Sequence, residues 1–86
     1  MIIRVLDLFS GIGGFSLGLE RAGLATVAFC EVDPFCRRVL AKHWPEVPCY
    51  DDVRTLSARM LIEDGIIGGK EAPEPTQIDL ICGGFP

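Results

Sequence analysis

Four short apolar runs separate the more polar parts of the chain. Residues 2–8 and 25–31 are apolar without regular polar alternation, the pattern of parallel strands that are buried on both faces. Residues 77–82 form another run of this type, and residues 47–50 are long enough for only a stub of a strand. The pattern therefore predicts four strands, with the stub third along the chain.

A first helix is predicted after the glycine cluster that ends the first run. From Gly13 onward, Phe15, Leu19 and Ala22 recur at the spacing of one face of a helix. Gly23 follows at the position where helices commonly end with a left-handed residue.

A second helix is predicted to begin at Asp33, an N-cap residue followed by Pro34 in the first turn, and to end before Pro45. Its buried stripe would consist of Cys36, Val39, Leu40 and either His43 or Trp44. The segment 55–67 is ambiguous. Ser57 can cap a helix there, but neighbouring glycines weaken a helix interior by about 1 kcal/mol each.

This alternation of strands and helices predicts an α/β fold: a partial parallel sheet of order 3-2-1-4, with helices on its faces. The composition is that of a folded interior, because 49% of the 86 residues are hydrophobic. A chain of this length buries a smaller fraction of its surface than an ordinary domain does. We therefore expect the core to need more chain than these residues supply.

The charge balance gives no support for a stand-alone DNA-binding module. Eight Lys and Arg residues against twelve Asp and Glu give a net charge of -4, whereas such modules show a basic excess. No apolar run approaches the roughly 18 residues of a membrane span, and the first residues lack the basic start and small-residue cleavage site of a signal peptide. We expect a cytoplasmic protein without a membrane partner.

The cysteines do not predict a metal site or a disulfide. Cys30, Cys36, Cys49 and Cys82 contain no C-x-x-C pair, and His43 is the only histidine. We expect reduced thiols. Cys30 and Cys82 lie in predicted strands and are interpreted as packing residues.

Acidic residues or glycine turns follow all four predicted strands. Asp7 and a glycine-rich turn follow the first strand, Glu31 ends the second, and Asp51 and Asp52 follow the third. The fourth runs into residues 83–86, Gly-Gly-Phe-Pro. Because ligands of parallel α/β sheets bind at the carboxyl ends of the strands, these positions predict one site.

The residues favour S-adenosylmethionine over a nicotinamide dinucleotide as the ligand. Glu31 lies eighteen residues beyond Gly13, where an acid can accept hydrogen bonds from both ribose hydroxyls. For the dinucleotide motif G-x-G-x-x-G, however, the third glycine would fall at Ser16, and Asp7 puts negative charge beside the turn where a pyrophosphate would lie. A sulfonium cation with no phosphate fits that charge better.

Residues 7–15, Asp-Leu-Phe-Ser-Gly-Ile-Gly-Gly-Phe, and residues 79–86, Asp-Leu-Ile-Cys-Gly-Gly-Phe-Pro, resemble the first and fourth signature motifs of the cytosine-C5 DNA methyltransferases. The resemblance covers essentially the whole chain and implies a Rossmann-like class I methyltransferase sheet. It implies that Phe9 packs on the adenine of S-adenosylmethionine and that Val32 lies on the adenine's other face. It also implies that Glu31 binds the ribose. The remaining implied cofactor contacts are Asp7, the turn residues Ser10, Gly11, Ile12, Gly13 and Gly14, the adenine-edge residues Asp52 and Val53, with Asp51 as a weaker substitute for Asp52, and Pro86.

The resemblance also places the nucleophilic cysteine directly after Pro86. Cys82 lies four residues too early, so the 86 residues alone are expected to be inactive and to form the N-terminal part of the cofactor-binding domain, without the target-recognition region. DNA would be a partner of the intact enzyme only. The alternative is a non-catalytic nucleotide-binding or interaction module that complements a separate chain. The residue encoded after Pro86 would discriminate the two.

The fourth strand is expected to leave a bare edge. Residues 78–82 are apolar apart from Asp79, and unpaired apolar edges are templates for pairing with another chain. We therefore expect self-association through this edge, as a symmetric dimer.

Overall fold

The computed structural model describes residues 2–68 and 77–83. Its strands are β1 (Arg4–Leu8), β2 (Ala25–Cys30), β3 (Cys49–Tyr50) and β4 (Leu80–Gly83), and its helices are α1 (Gly14–Arg21), α2 (Pro34–His43) and α3 (Ala58–Glu63). All strand pairs are parallel and the sheet order is β3-β2-β1-β4. The predicted fold class and the order 3-2-1-4 are confirmed.

The two central strands, β1 and β2, are buried on both faces. On one face Leu6 and Ala28 pack against Leu61 of α3 and against Ile66. On the other face, the ring of Phe29 meets the ring of Trp44, which follows α2, edge-on at 5.3 Å. This double coverage explains why the strands are apolar runs without alternation.

A bulge changes the facing of β2. The register of β1 and β2 shifts between Val5 and Leu6, so that Val5 pairs with Thr26 while Asp7 pairs with Phe29. Thr26 and Phe29 are three residues apart in β2, but both side chains lie on the face of the sheet that α1 and α2 cover. A bulge permits this odd spacing, which period-2 patterning does not predict.

The predicted first helix is confirmed, but of the apolar residues whose spacing indicated it only Leu19 is half-buried. Phe15 is 58% exposed and Ala22 is exposed, whereas Ser16 is fully buried. The Ser16 hydroxyl donates to Asp7 Oδ2 at 2.7 Å and lies 2.6 Å from Thr26 Oγ1. Hydrogen bonding to the sheet therefore fixes the rotation of this helix. Its predicted end is confirmed, because Gly23 has φ +91°.

The predicted limits of α2 are confirmed. The Asp33 carboxylate accepts hydrogen bonds from the backbone N–H groups of Phe35 and Cys36, and the helix ends at His43, before Pro45. Within the predicted stripe Leu40 is buried, Cys36, Val39 and Trp44 are half-buried, and His43 is exposed. Of the two residues proposed for the end of the stripe, Trp44 is the one that packs inward.

The ambiguous segment forms a short helix. Ser57 caps α3 by accepting a hydrogen bond from the Met60 N–H, and the chain turns at Gly65 with φ +76°. β4 starts at Leu80, three residues later than predicted, but Asp79 already bonds to β1 through the Arg4 carbonyl. No helix in the described ranges is long and apolar enough to cross a membrane.

Candidate cofactor site at the carboxyl edge of the sheet

The turn from β1 into α1 is tight and locally strained. Phe9 has φ +52°, a left-handed conformation that costs an L-residue roughly 1–2 kcal/mol. The Ser10 hydroxyl donates to the Asp7 carbonyl at 2.6 Å, and the Gly13 N–H donates to the Ser10 carbonyl at 3.0 Å. These bonds stabilise the strained conformation. In this conformation the Phe9 side chain lines the cleft described below. Strain of this kind is concentrated at functional sites.

The three glycines of the turn differ in conformation and surroundings: Gly11, at φ +57°, and Gly13 are left-handed, whereas Gly14 is not. A Cβ on Gly11 or Gly14 would meet no described atom within 4 Å, so the space beside them is open to a ligand. A Cβ on Gly13 would lie 2.5 Å from the Trp44 ring. Gly13, at φ +93°, is therefore required by packing and backbone conformation. The sequence alone did not separate these roles.

Glu31 joins the turn to the end of β2. Its Oε1 accepts from the Gly11 N–H at 2.8 Å and its Oε2 accepts from the Asp33 N–H at 2.7 Å. A carboxylate offers about four acceptor positions, so about two remain for donors from a ligand. Glu31 can thus hold the turn and still accept from a pair of hydroxyl groups.

One cleft of about 270 Å³ lies between the ends of β1, β2 and β3. Its lining residues are Phe9, Cys30, Glu31, Val32, Asp51, Asp52, Val53 and Arg54. Five of them were predicted from the sequence as adenine or ribose contacts: Phe9, Glu31, Val32, Asp52 and Val53. Small-molecule sites typically measure about 300–1,000 Å³, and this cleft is close to the lower end of that range.

Arg54, which the sequence analysis did not single out, holds Asp52 in a two-pronged ion pair. Its Nε and Nη2 atoms lie 3.0 and 2.9 Å from Asp52 Oδ1 and Oδ2, and its backbone N–H donates to Oδ1 at 2.9 Å. These contacts lower the pKa of the Asp52 carboxyl. Arg54 follows Asp52 by two residues, a spacing without a recognisable motif.

Three carboxylates and one guanidinium line this cleft. Burial raises the pKa of the Cys30 thiol, and the charges of Asp52, Asp51 and Glu31 raise it further. Arg54 is the one cation among the lining residues, and Asp52 already occupies its guanidinium. Arg37 of α2, outside the lining, lies 4.0 Å from Asp51 Oδ2, so the guanidinium groups are already paired and Glu31 keeps its charge without a cationic partner in this lining. The cleft therefore favours a neutral or cationic ligand over an anionic one.

Asp7 lies beneath the turn, outside the lining of the cleft. It is fully buried; Oδ2 accepts from Ser16, and Oδ1 has no hydrogen-bond partner among the described residues. Burial raises the pKa of the Asp7 carboxyl, while hydrogen bonds from Ser16 and Cys82 oppose that rise. Sequence reasoning missed Ser16 and Thr26. The only sequence signal for this contact was the presence of a hydroxyl residue in each of two apolar segments, the first helix and the second strand.

The other predicted residues are distributed around the turn. Ile12, Gly13 and Gly14 line a second cleft of about 310 Å³ together with Leu17, Glu20, His43 and Trp44. Ser10 is buried, and its hydroxyl is used within the turn. Gly83 belongs to β4, where a Cβ would lie 2.6 Å from the Leu8 carbonyl oxygen. Pro86 lies outside the described residues.

Comparison with known proteins agrees with this geometry. The model of the C-5 cytosine-specific DNA methylase family matches residues 3–86. The chain belongs to this family. It is 39% identical over 84 residues to the type II methyltransferase M2.BsuMI of Bacillus subtilis, covering 98% of this chain and 18% of that protein. It is 31% identical to M.AquIA of Picosynechococcus, with 96% and 32% covered, and 33% identical to M.Eco47II of Escherichia coli, with 99% and 18% covered.

The chain of this methylase family member thus spans about a fifth to a third of the length of these relatives.

Proposed function

We propose that the chain is the cofactor-binding portion of a DNA (cytosine-5-)-methyltransferase that uses S-adenosylmethionine. Residues 1–86 would form the N-terminal part of the catalytic domain, with target recognition elsewhere in the intact enzyme. The observation that carries the proposal is the convergence of Phe9, Glu31 and Asp52 on one cleft. An aromatic ring and two carboxylates with spare acceptor positions suit an adenine, its amino group and a ribose.

The apolar surfaces fit the adenine part of the cofactor. Phe9 and Val32 line the same cleft, and Val32 is 72% exposed, so an apolar surface is available to a planar base. Asp52 is held as an ionised acceptor by Arg54, which suits an exocyclic amino group. Val53 would lie at the base edge. These assignments rest on placement in the cleft.

The charge fits the rest of the cofactor. The carboxylates of Glu31, Asp51 and Asp52 surround the cleft, and the buried Asp7 lies beneath the turn. S-adenosylmethionine carries a sulfonium and an amino group, whereas a nicotinamide dinucleotide carries a pyrophosphate that these charges repel. The orphaned Asp7 Oδ1 atom adds an acceptor beneath the turn that a bound donor or water would satisfy.

The described residues would bind and orient the cofactor, which supplies the electrophilic methyl group. Their contribution to the rate is placement rather than covalent chemistry. Cys82 is a poor nucleophile, because burial raises the pKa of its thiol and the neighbouring Asp7 charge and hydrogen bond raise it further. We therefore propose that another cysteine attacks the cytosine and that these 86 residues alone transfer no methyl group to DNA.

Calorimetry tests the cofactor assignment. The chain is expected to bind S-adenosylhomocysteine and S-adenosylmethionine but not NAD. Glu31→Ala is expected to weaken binding by about tenfold or more, because hydrogen bonds to a charged group contribute about 1.5–3 kcal/mol. Glu31→Gln is the matched control, since its amide oxygen keeps an acceptor for the turn and its loss should be smaller. Binding of NAD alone, or an unchanged Kd in folded Glu31→Ala, would contradict the proposal.

We also propose DNA as the substrate of the intact enzyme and the cytoplasm as its location. Self-association is a further proposal, supported by the exposed apolar side chains of β4: Leu80 is 39% exposed and Ile81 is 61% exposed.

A further inference from the structure

Trp44, the single tryptophan of the chain, lies behind the glycine turn of the cleft. It is the residue that closes α2, and its ring atoms Cζ3 and Cη2 lie 2.5 and 2.8 Å from where a Cβ on Gly13 would be. Gly13 is the N-cap of α1, and its carbonyl accepts the first hydrogen bond of that helix, from Leu17. The indole thus touches the point where turn and helix join.

Contacts from three elements hold the indole in place. Its Nε1–H donates to Glu20 on α1, and its ring meets Phe29 of β2 edge-on at 5.3 Å, with 65° between the ring planes. The Trp44 backbone N–H donates to the Leu40 carbonyl at 2.7 Å. The Leu40 side chain also approaches the Cβ position of Gly13, to 3.1 Å. Hydrogen bonding and packing therefore hold the ring in place, and together with Glu20 it forms a wall beside Gly13.

A displacement of Gly13 would be transmitted to the cleft. Two residues before Gly13, the Gly11 N–H donates to Glu31, and four residues before it Phe9 lines the cleft in a strained conformation. Trp44 does not line that cleft. It reaches the cleft indirectly, through Gly13 of the turn and through Phe29, which lies two residues before Glu31 on β2.

We propose that Trp44 is a positioning residue for the cofactor: the wall formed by Trp44 and Glu20 fixes Gly13 and thereby sets the placement of Phe9 and Glu31. This inference rests on the proposed function. A packing role alone would lower the stability of Trp44 variants and leave ligand affinity of the folded protein unchanged. A positioning role changes affinity as well, and it makes the tryptophan emission sensitive to ligand in the neighbouring cleft.

The first experiment titrates the full chain with S-adenosylhomocysteine and follows tryptophan emission beside calorimetry. The expected result is an emission change that saturates with the calorimetric Kd. Calorimetric binding without any emission change would overturn the inference while leaving the proposed function intact. Absence of both signals would overturn the proposed function and the inference with it.

The second experiment measures affinity in variants of the wall. Trp44→Phe keeps an aromatic ring but removes the atoms that abut Gly13, and Glu20→Leu removes the acceptor of the indole. Both are expected to raise the Kd for S-adenosylhomocysteine roughly tenfold at a temperature where circular dichroism shows a folded chain. Misplacing a group by about 1 Å can lower a reaction rate by about a hundredfold. A displacement of Phe9 and Glu31 by less than that is expected to lower affinity by the smaller factor of roughly ten.

Matched controls separate positioning from general destabilisation. Glu20→Gln keeps an acceptor oxygen and should restore most of the affinity lost in Glu20→Leu. Phe35→Leu removes an aromatic from the same helix at a position that is 61% exposed, and should leave the Kd unchanged. Wild-type Kd values in folded Trp44→Phe and Glu20→Leu would overturn the inference.

A double-mutant cycle tests whether Trp44 acts through Gly13. Gly13→Ala alone should weaken binding strongly, because the new Cβ meets the indole and φ is +93°. In the Trp44→Phe background the same substitution should cost less, because the colliding atoms are gone, although the backbone strain remains. Coupling between the two changes is expected for residues in contact. Strictly additive effects on the Kd would overturn the proposed route.

Discussion

A single buried carboxylate shows how far the turn departs from a plain structural connection. Asp7 is fully buried beneath it, and only one of its two oxygens has a hydrogen-bond partner among the described residues. Burying a charge without complete pairing is costly, so an ordinary core would carry an apolar residue or a fully satisfied one here. A buried ionisable residue at the ligand edge of a parallel sheet is therefore a candidate for a functional role.

Asp7→Asn is expected to stabilise the fold at neutral pH and to weaken cofactor binding. The pKa of Asp7 is raised above its ordinary 3.8, so its contribution to stability is fully present below that pH and is lost as pH rises through the higher folded-state pKa. The asparagine stays neutral and can still accept from Ser16. A gain of about 1 kcal/mol would raise the Tm by about 4–8 °C in a domain of this size.

Thermal melts at pH 4 and pH 7 check this expectation. The wild type should lose Tm relative to Asp7→Asn on going to pH 7, and Glu46→Gln, at an exposed carboxylate, should behave like the wild type. A lower Tm for Asp7→Asn at pH 7 would show that its charge is needed for folding.

Arg54 is expected to act on ligand binding through Asp52. The Arg54 guanidinium binds the Asp52 carboxylate in a bidentate ion pair. Arg54→Ala should therefore let the pKa of Asp52 rise toward its ordinary value and let the Asp52 side chain rotate. For an exposed pair we expect affinity for S-adenosylhomocysteine to fall roughly twofold to fivefold. Arg54→Lys keeps the charge without the fork and should lie in between. Carboxyl-carbon NMR titration of Asp52 gives an independent readout, and an unshifted pKa in Arg54→Ala would refute the pairing.

At the scale of elements, local signals predicted the ends of α1 and α2 but not the residue that α1 buries. Asp33 and Pro34 determine the start of α2, and Gly23 the end of α1, through hydrogen bonds and backbone conformations that depend on one or two residues. The buried face of α1 instead depends on Ser16 reaching Asp7 and Thr26 on two different strands, with a bulge between them. Such distant polar contacts leave no periodic trace in the sequence.

The candidate site divides in the same way. Glu31 and Asp52 could be predicted because a residue after a parallel strand must lie at the ligand edge. Trp44 and Arg54 could not be predicted in this way. The Trp44 ring reaches Gly13 across the fold, and Arg54 matters through its ion pair with Asp52, two residues earlier. The distinction between Gly13 and its neighbours likewise required knowing what lies beside each glycine.

A hydrogen bond ties α3 to β3, and it can be measured directly. The Tyr50 hydroxyl donates to Asp64 Oδ2 at 2.6 Å, and burial together with this hydrogen bond and the Asp64 charge raises the pKa of Tyr50 to about 12. The contribution to stability is fully present below the ordinary pKa of about 10 and is lost as pH rises toward about 12.

Because Tyr50 is the single tyrosine, the ultraviolet absorbance of tyrosinate reports this one group. We expect a midpoint near 12 in the wild type. In Asp64→Asn the charge is gone and the midpoint should move toward 10, whereas Glu63→Gln, at the neighbouring exposed carboxylate, should leave it in place. A wild-type midpoint at the ordinary value would mean that α3 does not dock on β3 in this way.

For the whole molecule, the decisive feature is the outer side of β4. β4 pairs with β1 on one side, and no strand within the described ranges pairs with its other side. The charged residue directly before this strand, Asp79, does not protect its outer side. Asp79 accepts hydrogen bonds from the Arg4 backbone N–H and the Gln77 amide, and the pKa of its carboxyl is lowered by these contacts. Its carboxylate is therefore turned toward β1.

An apolar edge strand without an outward charge is a template for pairing with another chain. We therefore predict that the 86-residue chain dimerises through β4 at micromolar concentration, as measured by sedimentation. Ile81→Lys places a charge on the strand and should shift the chain to monomer without lowering the Tm, since Ile81 is 61% exposed. Ile62→Lys is the matched control: it adds the same charge at an exposed apolar position of α3 and should leave the dimer intact. A compact wild-type monomer, or equal effects of the two lysines, would rule out β4 as the associating surface.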